Sequence, residues 1–415
     1  MSLLRGLVGV LANEEGLSHA ALRPETGDLS LPVLTLDLGA FDRNADAMLG
    51  YAKALNLSLA PHAKTPMSPE LSRRLIEKGA WGLSVANLQQ AAVMLENGFD
   101  TLLVANQIGG RKSGARFGRL LSGFPKAEAH FFVDSVPSAL SVAAAGGAAG
   151  RPLPALIEVG RGRAGARDRE TVGAVIAAVL ASPHLKLAGV ACYEGAVASA
   201  NPFETEAAIA ELCAITTDAF NMVRKARPGA ELILSAGGSS FFDLVVKHLS
   251  PLVEMDGNVR MVLRSGAIYF HDHGVYERSL TLLDERDGFA PVTGQRASDA
   301  FAPALRVWAE VLSRPEPDLL ICGMGMRDVS SDQDLPRPLA FYRDGAEFVS
   351  GQDAKVFKLN DQHAFLRIPA GHPASVGDVV EFGISHPCTC IDRWRVILAR
   401  NPAGVLTDVF PTHFG

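Results

Sequence analysis

Lys64 closes the apolar run LSLAPHAKT, two residues after His62. At the end of a strand, in a mouth partly shielded from water and beside a positive imidazole, its amine would give up its proton more readily. It would then be nucleophilic towards an aldehyde. A second group, Ser235-Ala236-Gly237-Gly238-Ser239-Ser240, offers backbone N–H groups that glycine lets come close to a phosphate, with serine hydroxyls as further donors. The third is His386-Pro387-Cys388-Thr389-Cys390. Imidazole and thiolate two residues apart on an extended segment would point to one side and share a metal ion. The four protein ligands of a structural zinc centre are not evident, so an open site completed by substrate and water fits better. Each group also has a commoner explanation: a surface lysine, a Gly-Gly-Ser turn, a buried cysteine near a hydrogen-bonded histidine. His363, in LNDQHAFL, and Asp392 are further candidates to orient a ligand or carry a proton.

These groups need elements to position them. From residue 32 to residue 240, short β-rich runs alternate with stretches of helical period. The runs are LPVLTLDL, LSLAPHAKT, WGLSVAN, TLLVANQ, AHFFVDS, PALIEVG, LKLAGVACYEG and ELILSAGGS. Between them, SPELSRRLIEKG and NLQQAAVMLENG can be capped by Ser68 and Asn87 and ended by Gly79 and Gly98. Eight such units, with strands nearly continuous in apolar residues, predict an α/β fold: a (β/α)₈ barrel over residues 32–260. Chemistry in such barrels gathers where strands end, and the polar punctuation falls there. It comprises His62 to Thr65, Asn87, Asn106-Gln107, Asp134-Ser135, Gly160 to Arg167, Tyr193-Glu194-Gly195 and Ser235 to Ser240. On this count SAGGS ends the eighth strand, near where barrel phosphate sites form. Beyond Ser240, runs such as VRMVLRSGAIYFHD, ALRVWAEVLSRP and VGDVVEFGIS read as strands parted by turns, with little helix. A second, mainly β domain is expected over residues 265–415, with part of residues 1–31 packed on it.

The chain has 415 residues, a net charge of −6 and 20% charged residues, which gives no nucleic-acid footprint. No window is long and apolar enough for a membrane helix, and the first residues lack a convincing signal peptide. Five scattered cysteines suit a reducing compartment, so the cytoplasm is expected.

Four segments in order, residues 36–44 (LDLGAFDRN), Pro61-His62-Ala63-Lys64-Thr65, Gly160 to Gly165 and Ser235 to Ser239, resemble the alanine-racemase-like (fold type III) pyridoxal-phosphate enzymes. The C-terminal Asp361-Gln362-His363-Ala364, Gly377-Asp378 and His386-Pro387-Cys388-Thr389 resemble the metal-binding domain of the branch that holds D-serine dehydratase and D-threonine aldolase. The resemblance runs from residue 32 to residue 395 and implies that Lys64 carries pyridoxal 5′-phosphate (PLP) as a Schiff base, with His62 beside it. It puts Arg163 at the pyridine nitrogen and Tyr193 against the ring or substrate. Ser235, Gly237, Gly238 and Ser239 would hold the phosphate, with Tyr269. His386 and Cys388 would bind a divalent ion, zinc first, with manganese or magnesium in some relatives. The implied reaction is dehydration of a small β-hydroxy D-amino acid, D-serine foremost, to a 2-keto acid and ammonia. Retro-aldol cleavage to glycine and an aldehyde is the rival, ahead of racemisation or a non-catalytic PLP carrier. A homodimer is implied too. Met326 departs from the pattern, since close relatives carry lysine there, and Leu320-Ile321-Cys322 lacks an aspartate common in the wider family.

Overall fold

The computed structural model of the protein describes residues 21–414. Its first strand, β1 (Val33–Asp37), leads into the helix Leu38–Ala54, which Asp37 caps by accepting the Ala40 N–H at 2.8 Å. Eight parallel strands follow: β2 (Ser58–Leu59), β3 (Leu83–Val85), β4 (Thr101–Val104), β5 (Glu128–Val133), β6 (Leu153–Glu158), β7 (Leu185–Ala191), β8 (Leu232–Ala236) and β9 (Val259–Leu263). They stand in the order β2-β9-β8-β7-β6-β5-β4-β3. The two ends meet just past β2. Ser84 N–H donates to the Pro61 carbonyl at 2.9 Å, and Ala63 N–H to the Ser84 carbonyl at 2.8 Å. Pro61 has no N–H to give, so the ladder there is broken but the barrel is nearly closed. Its interior is filled by Ala60, Leu103, Phe132, Leu156, Ala188, Ala191, Ile233 and Val262. The helices between strands start much as the sequence predicts: Asn87 accepts the Gln90 N–H at 2.9 Å, and Gly79 and Gly98 take positive φ at the helix ends. Ser68 is the exception, its hydroxyl donating to Glu70 instead of capping.

The count of eight barrel strands holds, but the membership shifts by one. β1 does not enter the barrel. It pairs antiparallel with β10 (Leu305–Glu316) and parallel with β17 (Val396–Arg400) in a second sheet. The eighth barrel strand is β9, which the sequence reading grouped with the strands beyond Ser240 and left out of its eight barrel units. An apolar run shows that a strand is covered on both faces, not which neighbour it bonds to. SAGGS therefore follows the seventh barrel strand, and Arg264 to Tyr269 follow the eighth.

The second sheet runs β13 (Ala346–Ser350), β12 (Arg337–Arg343), β16 (Val379–Gly383), β10, β1, β17 and β18 (Leu406–Pro411). β11 (Leu319–Cys322), β14 (Lys355–Leu359) and β15 (Ala364–Arg367) extend it from β10. The link from barrel to sheet holds more helix than expected, over Val275–Glu285, Ala290–Thr293 and Ala297–Ala300. Leu22 and Leu29 pack with Val33, Trp308 and Leu398 of the second sheet. Residues 1–20, the rest of that N-terminal segment, lie outside the described residues. Among the described residues no helix is long and apolar enough to cross a membrane.

Candidate active site

A cavity of about 550 Å³ opens at the C-terminal ends of the barrel strands. It has the size of a small-ligand site. Barrel loops contribute His62, Lys64, Thr65, Arg163, Tyr193, Gly238, Ser239, Arg264, Gly266 and Ala267, and the later chain adds Tyr276, His386 and Cys388. Most of the residues singled out in the sequence thus face one space.

Lys64 is exposed to this cavity, not half-shielded from water as expected. The imidazole of His62 lies under its loop, with Nδ1 accepting the Lys64 N–H at 3.4 Å. Burial first, then the charges of Lys64, Arg264 and Arg163, push His62 well below the usual histidine range. His62 is therefore neutral and cannot act as the positive neighbour that the sequence reading gave Lys64. The cations facing the cavity beside it are Arg163 and Arg264. The guanidinium of Arg163 sits 4.6 Å from the centre of the Tyr193 ring and 3.6 Å from Oε1 of the buried Glu158. Burial, then the Glu194 charge, raises the Tyr193 phenol above its ordinary range, and burial raises Tyr276 further. Both are proton donors at neutral pH.

On the phosphate side the expected residues divide. Gly238 and Ser239 line the cavity, while Ser235, Gly237 and Tyr269 do not. The Ser235 hydroxyl is buried, donating to the Val262 carbonyl at 3.2 Å and accepting from Arg264 at 2.7 Å. The amides of Gly237 and Gly238 both donate to the buried Glu194 carboxylate, so the nest expected for phosphate holds an internal anion. Gly237 keeps φ at +82°, and a Cβ there would stand 2.6 Å from Leu263. Tyr269 is buried with no hydrogen bond to its hydroxyl. What remains for a phosphate is the rim of Gly238, Ser239, Gly266 and Ala267, with the Ser239 hydroxyl receiving the Gly266 and Ile268 amides at 3.1 and 3.3 Å.

His386 and Cys388 enter from the second sheet's side, and Cys388 Sγ lies 3.3 Å from Thr65 Oγ1, one residue from Lys64. They are not on an extended segment: Pro387 starts a short helix, Pro387–Ile391, with His386 as its N-cap. Proline's fixed φ suits the first helical position. His386 Nδ1 meets Asp332 Oδ2 at 2.7 Å. Burial would lower the imidazole, but hydrogen bonds to Cys388 and Asp332, with their charge, outweigh it and carry His386 up to about 9. His386 and Cys388 bring one imidazole and one sulfur to the same cavity, a donor set that fits a metal ion bound by two protein ligands with open positions. No cluster of three or more His, Cys, Asp or Glu occurs among the described residues. His363 and Asp392 are absent from the cavity lining, Asp392 pairing with Arg393 at 2.9 Å.

Sequence reasoning missed Arg264, Tyr276 and Asp332. Arg264 had a signal, since it ends an apolar strand. Asp332 had none, because it reaches His386 across 54 residues of chain.

The profile described as "Alanine racemase, N-terminal domain" matches residues 36–249, more than half of the chain. The chain belongs to the alanine-racemase-like family of PLP enzymes. The family's barrel is here joined to a second unit, since the profile described as "Putative serine dehydratase domain" matches residues 304–399, which include His386 and Cys388. This alanine-racemase-like chain is similar to D-threonine aldolase of Arthrobacter sp., 27% identical over 385 residues that cover 90% of this chain and 91% of that one. Its fold is shared by the crystal structure of D-threonine aldolase from Filomicrobium marinum, at a TM-score of 0.73 and 24% identity, covering 93% of this chain and 95% of that one. It is also shared by D-threo-3-hydroxyaspartate dehydratase from Delftia sp. HT23, at 0.69 and 20%, covering 94% and 98%.

Proposed function

We propose that the chain is a PLP- and metal-dependent lyase that dehydrates a small β-hydroxy D-amino acid, D-serine first, to a 2-keto acid and ammonia. The observation that carries this reading is the meeting of Lys64 with the His386–Cys388 pair across one cavity, joined through Thr65. PLP, when bound, takes up negative charge developing at the α-carbon, and a divalent ion supplies Lewis acidity to the β-hydroxyl. Lys64 would hold the cofactor aldehyde and, once displaced by the substrate amine, take the α-proton. Arg163 would keep the pyridine nitrogen unprotonated, and Gly238, Ser239 and the Gly266 loop would seat the phosphate. His386 and Cys388 would hold the ion, for which zinc suits one imidazole and one thiolate.

Retro-aldol cleavage is the second reading, favoured by the likeness to D-threonine aldolase. It needs a base at the β-hydroxyl. Both phenols facing the cavity hold their protons, so that base would have to be His62 or the displaced Lys64 amine. The expected homodimer and cytoplasmic location belong to the same proposal, the second because all five cysteines are free. Incubation with D-serine, D-threonine and D-threo-3-hydroxyaspartate, assaying keto acid against glycine plus aldehyde, tests it. Glycine and aldehyde without keto acid would overturn dehydration. A Lys64→Ala variant that still gains the yellow colour of the bound cofactor would overturn the role of Lys64.

A further inference from the structure

We propose that Asp332 and Thr389 are positioning residues that fix His386 as a metal ligand through its Nε2, an inference that rests on the metal-site reading of His386 and Cys388. The Asp332 Oδ2 to His386 Nδ1 distance is 2.7 Å, and Thr389 Oγ1 donates to Asp332 Oδ1 at 2.7 Å. The ionised carboxylate has no hydrogen to give, so the hydrogen between Asp332 and the ring sits on Nδ1. A cation that displaces the ring's other proton therefore meets the lone pair on Nε2. Cys388 lies within hydrogen-bonding reach of the same imidazole. Each Asp332 oxygen has a partner within the chain, so the carboxylate acts through histidine and not as a third ligand.

The two loops are also laced together. Ser330 Oγ donates to the His386 carbonyl at 3.3 Å, and Ser385 Oγ to the Asp334 carbonyl at 2.7 Å. The Trp394 indole reaches the Asp328 carbonyl at 2.8 Å. Asp332 is therefore held where the ring must meet it. This gives the threonine after Cys388 a role: it fixes the rotation of the carboxylate and leaves one oxygen for Nδ1.

The test is zinc affinity of the metal-free protein, measured by competition with a chromophoric chelator at one fixed pH. Asp332→Asn is expected to weaken binding by about 10–100-fold, with a smaller loss in Thr389→Val and partial recovery in Asp332→Glu. The melting temperature of the metal-free protein and the absorbance of bound PLP should stay at parent values, which separates positioning from a fold defect. Cobalt loaded into Asp332→Asn should keep its thiolate charge-transfer band, since Cys388 is untouched. Parent-like zinc affinity in Asp332→Asn overturns the proposal. If Asp332→Asn does not melt cooperatively, Thr389→Val carries the comparison, and parent affinity there overturns it. If His386→Ala and Cys388→Ser also bind zinc like the parent, the metal-site reading itself has failed.

Discussion

Replacing Gly266 with alanine puts a methyl group into the backbone that carries Lys64. The new Cβ would lie 2.8 Å from the His62 carbonyl oxygen, 2.9 Å from its Cβ and 3.0 Å from its nitrogen. Ordinary contacts sit at roughly 3.5–4.0 Å, so the two segments must part by at least about half an ångström. Gly266 has φ at −128°, outside the positive-φ region that favours glycine, so the close contact with His62 is what alanine must overcome. Neither side yields readily, because Ala63 is hydrogen-bonded to Ser84 at 2.8 Å and the Gly266 amide to Ser239 at 3.1 Å. Overpacking of this kind costs about 1–3 kcal/mol. A misplacement of about 1 Å can cost ~10²-fold in rate, so half of that predicts roughly tenfold lower kcat/KM for keto-acid formation. The assay pairs thermal melting with PLP titration and steady-state kinetics. A variant matching its parent in both melting temperature and kcat/KM would refute the packing argument.

Three further outcomes follow from buried charge and hydrogen bonding. His130 is buried with neither ring nitrogen hydrogen-bonded, and burial, then Lys186, lowers it to about 4. Its folded value lies below its unfolded one, so the stability it contributes is complete above about pH 6.5 and is lost as pH falls towards 4, by about 3 kcal/mol. Urea titrations should show a flatter acid limb for His130→Leu, and an unchanged limb would refute this. Arg286→Met should cost about 3–5 kcal/mol by stranding Asp243, whose carboxylate takes two 3.0 Å bonds from that guanidinium. Adding Asp243→Leu should recover part of the urea midpoint; no recovery would count against the stranded-charge account. Glu194→Ala leaves the Gly237 and Gly238 amides without their acceptor, at about 1–3 kcal/mol for each amide left buried. Both melting temperature and PLP affinity should drop, with Glu194→Gln between; a parent-like Glu194→Ala would show the carboxylate to be incidental.

The sequence alone determined the parts that depend on local order. Alternating apolar runs and capped helical stretches specify a barrel of eight strands, because burial on both faces and helix amphipathicity are written within a few residues. The candidate chemistry at Lys64, Ser239, His386 and Cys388 was legible because residue type sets what a side chain can do, while the two-residue spacing of His386 and Cys388 did not reveal the short helix that holds them. Tertiary structure decided what depends on partners far along the chain. It gave β1 to the second sheet and β9 to the barrel, since pairing is set by hydrogen bonds between segments that share no local pattern. It also filled the Gly237–Gly238 nest with Glu194, made His62 neutral between two arginines and a lysine, and brought Asp332 to His386. Charge state and occupancy are properties of the assembled surroundings, and only folding assembles them.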